Sequence, residues 1–427
     1  MFPRSLYTLV MYLLTPVILI RLARRGLHYR SYLGRWRERF GFFPAPGFQQ
    51  SIWIHAVSVG EVNAAVPLIE ALMREHVDLP FVITTITPTG SERVQKLFGE
   101  RVFHVYLPYD LPASVARFLE RVRPRLGVIM ETEIWPNLFH ECERREIPLV
   151  VANARLSQKS LRGYGPVRPL ARLAIRSARH VAAQSTADAQ RLLELGADPA
   201  RLSVLGNIKF DMAVPEELAG IGRELREVWG PHRPVWIAAS THEGEEIAVL
   251  KAHAAVLRRF PDALLLIAPR HPERFRLVVL ACRSFGFATR TRSEDRQAAS
   301  SSQCFVVDTL GELLHYYAAS DVAFVGGSLV PIGGHNVLEP AALSVPVVVG
   351  PNTFNFEAIT ASLVEEGGAV QLGDADALGA AIARQLGDES GRRRMGGKAR
   401  QVFERERGAV ARNMAAIEAV LAAQRLR

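Results

Sequence analysis

The chain of 427 residues carries 52 Lys plus Arg against 43 Asp plus Glu, a formal charge of +9, with 48% hydrophobic and 22% charged residues. These proportions exclude a wholly disordered chain, and the length calls for two domains, each large enough to bury its own core. The positive balance favours an anionic partner, yet no helix, finger or RNA-binding signature combines basic with recognition residues, so nucleic acid is not an expected partner.

The first expected element is the run Leu6 to Ile20, which carries no charge and is followed by Arg21, Arg24, Arg25 and Arg30. As a helix it reaches about 22 Å, a little short of a hydrocarbon core unless its flanks snorkel. No small-residue cleavage site follows, so residues 1–30 are expected to stay as a single membrane anchor with its basic flank. The positive-inside bias places everything after it on the cytoplasmic side of the membrane. Tyr29 to Phe43 mixes Arg with Trp, Tyr and Phe, as a lipid-facing collar on an anionic membrane surface does.

From Ile52 onward short β-rich runs alternate with helical patterns, the signature of a parallel sheet wrapped by helices. One series of strands starts at Ile52, Phe81, Leu126, Leu149, His180 and Leu202, with helices over Asn63 to His76 and Ala113 to Val122. A stretch rich in Pro and Gly, Lys209 to Pro234, then carries no strand pattern. A second series starts at Val235, Ala263, Cys304, Val322 and Val345. The expected organisation is therefore a first Rossmann-like domain over 31–212, a linker over 213–233 and a second such domain over 234–405. A closing helix over 406–427 belongs to a long pattern, Ala399 to Arg427, with the length to brace the first domain. Two doubly wound α/β domains facing a cleft bind ligands at the C-terminal ends of their strands. Only Ser293 to Gln303 is low in complexity.

The candidate chemistry sits at those strand ends. In the second domain Gly326-Gly327-Ser328 closes a strand, and Gly333 to Pro340 leads into a helix expected over Val337 to Leu343. Glycines let backbone N–H groups approach a phosphate, and the helix start favours an anion, so this region is expected to cradle a phosphorylated, nucleotide-activated donor. It is neither a GxGxxG nor a Walker A pattern. Glu339 has the position to accept hydrogen bonds from a ribose. Arg270, after Pro269, lies on the same edge with a guanidinium suited to phosphate or carboxylate. Leu310-Gly311-Glu312 follows another strand.

In the first domain Ser58-Val59-Gly60-Glu61 leads from strand to helix, with Gly60 expected to make a tight turn and Glu61 expected to act as a general base for a hydroxyl. Glu131, Glu133, Arg155 and Lys159 follow later strands and are candidates to hold sugar and acceptor, and Thr87, Thr89, Gly90 and Ser91 occupy a similar corner. No metal site is expected. His242 lacks a second His at ligand spacing, Asp374-Ala375-Asp376 reads as a helix cap, and Cys142, Cys282 and Cys304 form no CxxC pair.

The motifs AVSVGE at Ala56, ETEIWPN at Glu131, NARLS at Asn153, GNIKFD at Gly206, STHEGEE at Ser240, PRHPERF at Pro269 and GGHNVLEPA at Gly333 occur in one order. Together they resemble the 3-deoxy-D-manno-octulosonic acid (Kdo) transferases of Gram-negative lipopolysaccharide synthesis, which have the GT-B glycosyltransferase fold. The resemblance implies CMP-Kdo as donor and the phosphorylated lipid A precursor, lipid IVA, as acceptor. It implies an inverting, metal-independent transfer with no cofactor. It further implies Glu61 as catalytic base, and Pro269, Arg270, Leu310, Gly311, Glu312, Asn336, Val337, Leu338 and Glu339 as nucleotide-binding positions. A UDP-sugar enzyme of the same fold and a non-catalytic nucleotide-sugar sensor are the rivals. Competition by CMP rather than UDP, and turnover, separate them.

Overall fold

Strands buried on both faces read as continuous apolar runs, and here they form two all-parallel sheets. The structure is a computed structural model and describes residues 4–28, 30–212, 214–294 and 302–425. Tyr29 and most of the low-complexity run at Ser293 to Gln303 lie outside the described residues. The chain forms two units: Met1–Met212 with Arg407–Arg427, and Ala213–Glu406.

The strands of the first unit are β1 Ser51–His55, β2 Phe81–Thr85, β3 Phe103–Tyr106, β4 Pro124–Met130, β5 Leu149–Ala154, β6 His180–Ala183 and β7 Leu202–Val204. They pair in the order β3-β2-β1-β4-β5-β6-β7. Alternation along each strand supplies two cores. Trp53, Val82, Ile129 and Val151 point to one side with Phe118 and Phe139, while Ile52, Ile54, Ile83 and Val128 point to the other with Leu68 and Leu72. The closing helix Ala409–Arg425 covers this second face, with Ile417 and Leu421 buried in it. The single pattern expected from Ala399 onward is two helices, because Gly408 adopts φ +88 after the helix Glu389–Glu406.

The second unit contains β8 Val235–Thr241, β9 Leu264–Pro269, β10 Thr289–Thr291, β11 Cys304–Val306, β12 Val322–Val325, β13 Val347–Val349 and β14 Ala369–Gln371, in the order β10-β11-β9-β8-β12-β13-β14. Residues 213–233, expected as a linker, contain the helix Leu218–Trp229. Its Trp229 is buried with Phe305 and Tyr316, so this stretch is part of the second unit's core. An amphipathic helix lies between the Pro and Gly residues of this stretch, so it packs as part of the domain rather than as a linker.

In both sheets the order reverses beside the first strand, at β1/β4 and at β8/β12. Ligands of open α/β sheets bind at such switch points. The collar expected over Tyr29 to Phe43 is only partly free: Arg39 and Phe43 are buried, whereas Leu33, Trp36 and Phe42 are exposed. Arg35 and Arg39 donate to His104 O and Ile86 O, each at 2.8 Å, which fastens the segment to the first unit.

Candidate active site

Glu61 stands in the first turn of the helix Val59–Glu75, immediately after β1 and at the first unit's switch point. Val57 N–H donates to its Oε2 at 2.8 Å and Ser58 Oγ donates to its Oε1 at 3.3 Å. Burial pushes the Glu61 carboxyl up to about 7, and the charges of Glu131 and Glu133 add to that against the pull of Val57 N–H. Glu133 is likewise pushed up to about 7, first by burial and then by Glu131. Three carboxylates thus share one strand-end environment. Lys209 Nζ lies 3.9 Å from Glu131 Oε1 and supplies a positive charge there.

Backbone strain marks the same edges. Glu131, Asn153 and Ser240, at the ends of β4, β5 and β8, have φ of 56°, 53° and 55°, a region costly for residues with a side chain. The buried Asn153 Oδ1 accepts from Ile208 N–H at 3.0 Å, which holds the segment carrying Lys209. Gly60 does not make the expected turn. It already lies within the helix, and Ser58, extended at φ −130, makes the change of direction. A Cβ on Gly60 would meet only Ser58 Oγ at 3.9 Å, so the glycine leaves open space beside Glu61.

Arg155 lies beside Thr132, whose hydroxyl donates to Arg155 O at 2.6 Å. Lys159 is exposed on the helix Gln158–Gly163 and makes no ion pair among the described residues. The corner Thr87 to Ser91 is structural. Thr87 caps a helix through Gly90 N–H, and the buried Ser91 hydroxyl accepts from Arg35 at 3.1 Å.

In the second unit the expected cradle at Gly326, Gly327 and Ser328 is already filled by the protein. The Glu245 carboxylate accepts from Gly327 N–H at 2.7 Å, Ser328 N–H at 3.0 Å and Leu329 N–H at 2.9 Å, as well as from His242 N–H at 2.9 Å. Gly326 N–H donates to Ala239 O. Ser328 is fully buried, and its hydroxyl donates to Val325 O and accepts from Gly350 N–H. The N–H groups expected to cradle the donor phosphate bind an internal carboxylate instead, so this turn is not free for a phosphate. A Cβ on Gly326 would lie 2.9 Å from Glu245 Oε2 and 2.6 Å from Ser240 O, which is why glycine stands there.

Anion-binding capacity lies further along the loop. The N–H groups of His335, Asn336 and Val337 have no acceptor among the described residues. The helix that follows is only Leu338–Ala342, shorter than expected. Asn336 Nδ2 donates to Glu339 Oε1 at 3.1 Å and its Oδ1 accepts from Leu338 N–H, so these residues form one braced unit. The side chains of Val337 and Leu338 are buried. Burial raises the Glu339 carboxyl, opposed by Asn336 and by the charge of Arg270.

Arg270 is exposed just past β9 and acts electrostatically on His242, His335 and Glu339, so it shares their surroundings. A histidine cluster, not anticipated, completes the edge. His242 and His335 Nε2 are 2.7 Å apart with rings 5° from parallel, and His271 meets His242 edge-on at 5.2 Å. Burial and the cationic neighbours hold His335 down at about 4, so it is neutral at working pH. The two facing nitrogens then share one proton. Leu310 is exposed beside Gly311 at φ +91, whereas Glu312 is held by Arg292 at 2.8 Å and by the Thr309 hydroxyl. Among the described residues no group of three or more His, Cys, Asp or Glu is placed to hold a metal ion.

Lys209, Glu245 and the histidine cluster are not among the residues expected from the sequence. Lys209, His242 and His335 all lie inside motifs quoted above, which was the available signal. Glu245 also lies inside one of them, STHEGEE at Ser240, but nothing local links it to the glycines at 326 and 327.

Residues 34–212 match a family model described as 3-deoxy-D-manno-octulosonic-acid transferase (kdotransferase). The chain is 43% identical over 415 residues to the 3-deoxy-D-manno-octulosonic acid transferase of Haemophilus influenzae, covering 96% of each chain. It is 36% identical over 435 residues to the enzyme of that name from Bordetella pertussis, covering 97% of this chain and 99% of the other. Among solved structures, a glycosyltransferase from Rickettsia africae aligns over 88% of this chain and 99% of its own, with a TM-score of 0.57 and 13% identity. That likeness concerns the fold, two parallel-sheet domains of the GT-B kind.

Proposed function

The chain belongs to the Kdo transferase family of glycosyltransferases, and from that premise we propose that it transfers Kdo from CMP-Kdo to lipid IVA, with inversion and with Glu61 as general base. The observation that carries the reading is the Glu61 carboxyl, half-buried at the first unit's switch point and pushed up to about 7. A base poised there is both strong enough to take a hydroxyl proton and substantially ionised at neutral pH.

In the proposed step Glu61 takes the proton of the acceptor's primary hydroxyl while that oxygen bonds to the Kdo anomeric carbon from the face opposite CMP. The bond from that carbon to the phosphate oxygen breaks, and its electron pair leaves with CMP. Negative charge grows on the phosphate, so donors aimed at it favour the transition state over the ground state. Arg270 and the N–H groups of His335, Asn336 and Val337 are the donors assigned to it. Pro269, Leu310, Gly311 and the Asn336–Glu339 brace are assigned to the nucleoside. Glu312, already bound by Arg292 and Thr309, is assigned to shaping its loop. Glu131, with Lys209, is assigned to the sugar. The transfer is read as metal-independent, because these cationic and N–H groups meet the leaving charge.

The apolar helix Arg4–His28 supports attachment to the cytoplasmic face of the inner membrane, where a lipid acceptor would be found. The direct test is to incubate the full chain with CMP-Kdo and lipid IVA and to read product masses, which also counts the Kdo residues added. Glu61→Ala is expected to cut turnover by orders of magnitude while CMP still binds, and near-full turnover would remove the base assignment. Inhibition by UDP equal to that by CMP would remove the donor assignment.

A further inference from the structure

The helix Arg4–His28 is long and apolar enough to cross a bilayer: within its 24 residues from Arg4 to Leu27, a window of 18 residues has a mean hydropathy of 1.9. At 1.5 Å per residue it spans about 36 Å, against a hydrocarbon core of about 30 Å. Its contacts argue for a different placement. Near its start, Tyr7 Oη donates to Asp110 Oδ2 at 2.9 Å and Thr8 Oγ1 donates to Asn137 Oδ1 at 3.0 Å. Asp110 belongs to the folded interior. It is buried and also accepts from Asn137 N–H at 2.9 Å and Leu138 N–H at 2.8 Å. Arg4 lines a cavity of about 450 Å³ together with Pro136, His140, Leu170 and Leu173 of the same unit.

The far end is fastened as well. Leu22 is buried, Gly26 is packed against Leu33, and Arg35, Glu38 and Arg39 bind the first unit, with Tyr106 N–H donating to Glu38 at 3.0 Å. Between the two ends the side chains segregate. Tyr7, Met11, Thr15, Ile18 and Leu22 recur every three or four residues on the more sheltered face. Leu9, Leu13, Val17 and Ile20 form the opposite stripe, exposed by 54%, 68%, 57% and 56%. A helix fixed at both ends to one globular body cannot also carry its start across a bilayer. Crossing would separate Tyr7 from Asp110 by the thickness of the core.

We propose that Arg4–His28 is an in-plane anchor, lying in the interface of an anionic leaflet with Leu9, Leu13, Val17 and Ile20 among the acyl chains. This rests on the reading that the chain is membrane-bound and decides how it is bound. Exposed Arg21, Arg25 and Arg37, with Trp36 and Phe42, provide the cationic and aromatic rim that such a helix presents to anionic headgroups.

The test uses the full chain. Flotation with vesicles of phosphatidylethanolamine and phosphatidylglycerol is expected to carry the protein, and failure to float would overturn membrane attachment and this proposal together. The native cysteines are buried, so Ser5→Cys provides a reporter for a membrane-impermeant maleimide. Labelling is expected in inverted vesicles but not in sealed spheroplasts, and the reverse would establish a crossing helix while leaving membrane attachment intact. Leu13→Cys carrying a bimane gives a second measurement. Stronger quenching by shallow than by deep spin-labelled lipids is expected, and deep quenching would overturn the in-plane placement.

Discussion

Glu61→Gln is expected to stabilise the protein while abolishing its proposed reaction, with a stability gain that depends on pH. The folded protein raises this carboxyl from 4.5 to about 7, so its proton is held more tightly folded than unfolded. That contribution is fully present below 4.5 and is lost as pH rises through about 7. Above that the folded state carries an ionised, half-buried carboxylate beside Glu131 and Glu133. The full difference amounts to about 3 kcal/mol. Partial exposure reduces it, and an amide keeps the bond from Val57 N–H but not both carboxylate oxygens. A gain of about 1–2 kcal/mol at pH 8, vanishing near pH 5, is the expected residue of these effects. Thermal denaturation of both proteins at pH 5 and pH 8, followed by the transition of the first unit, measures it. A Glu61→Gln variant no more stable at pH 8 than wild type, or equally stabilised at both pH values, would refute the argument.

For the wild type, the rate at low donor concentration is expected to rise with pH to a midpoint near 7; Glu131→Gln removes a neighbouring negative charge and should move that midpoint down, whatever it does to the maximum. An unmoved midpoint would show that the two carboxylates are uncoupled. Arg270→Ala should raise the donor KM by about tenfold or more, the cost of a charge-assisted contact of roughly 1.5–3 kcal/mol, and an unchanged KM would count against its phosphate role. Glu245→Ala strips the acceptor from four N–H groups, each worth about 1–3 kcal/mol when buried and unpaired; a large drop in the melting temperature of the second unit is expected. Unaltered melting and CMP affinity in that variant would show that the glycine turn holds its shape without the carboxylate.

Much of the architecture was legible in the chain because parallel strands covered on both faces must be apolar throughout. IWIH at Ile52 and VVV at Val347 follow that rule. The three strands missed, Phe103–Tyr106, Thr289–Thr291 and Ala369–Gln371, are sheet edges. Edges are short and less apolar, so they leave little local signal. The helix Leu218–Trp229 was hidden by the Pro and Gly around it, which punctuate the chain without revealing the apolar stripe between them.

The site divides in the same way. Glu61, Arg270 and Asn336 to Glu339 stand out as candidates in the chain because each belongs to a compact motif. What glycine residues do with their free amides is different, since it depends on which group the fold brings to them. Gly326-Gly327-Ser328 announces an anion, but Glu245, 82 residues from Gly327, fills the nest. Likewise Leu6 to Ile20 by itself establishes only a helix that prefers lipid. The hydrogen bonds of Tyr7 and Thr8, with partners more than 100 residues away, are what hold it against the first unit. Local pattern is enough for covalent identity, periodicity and apolar runs. The partners of charges and hydrogen bonds are chosen by the tertiary structure, because those interactions are short-ranged in space and indifferent to distance along the chain.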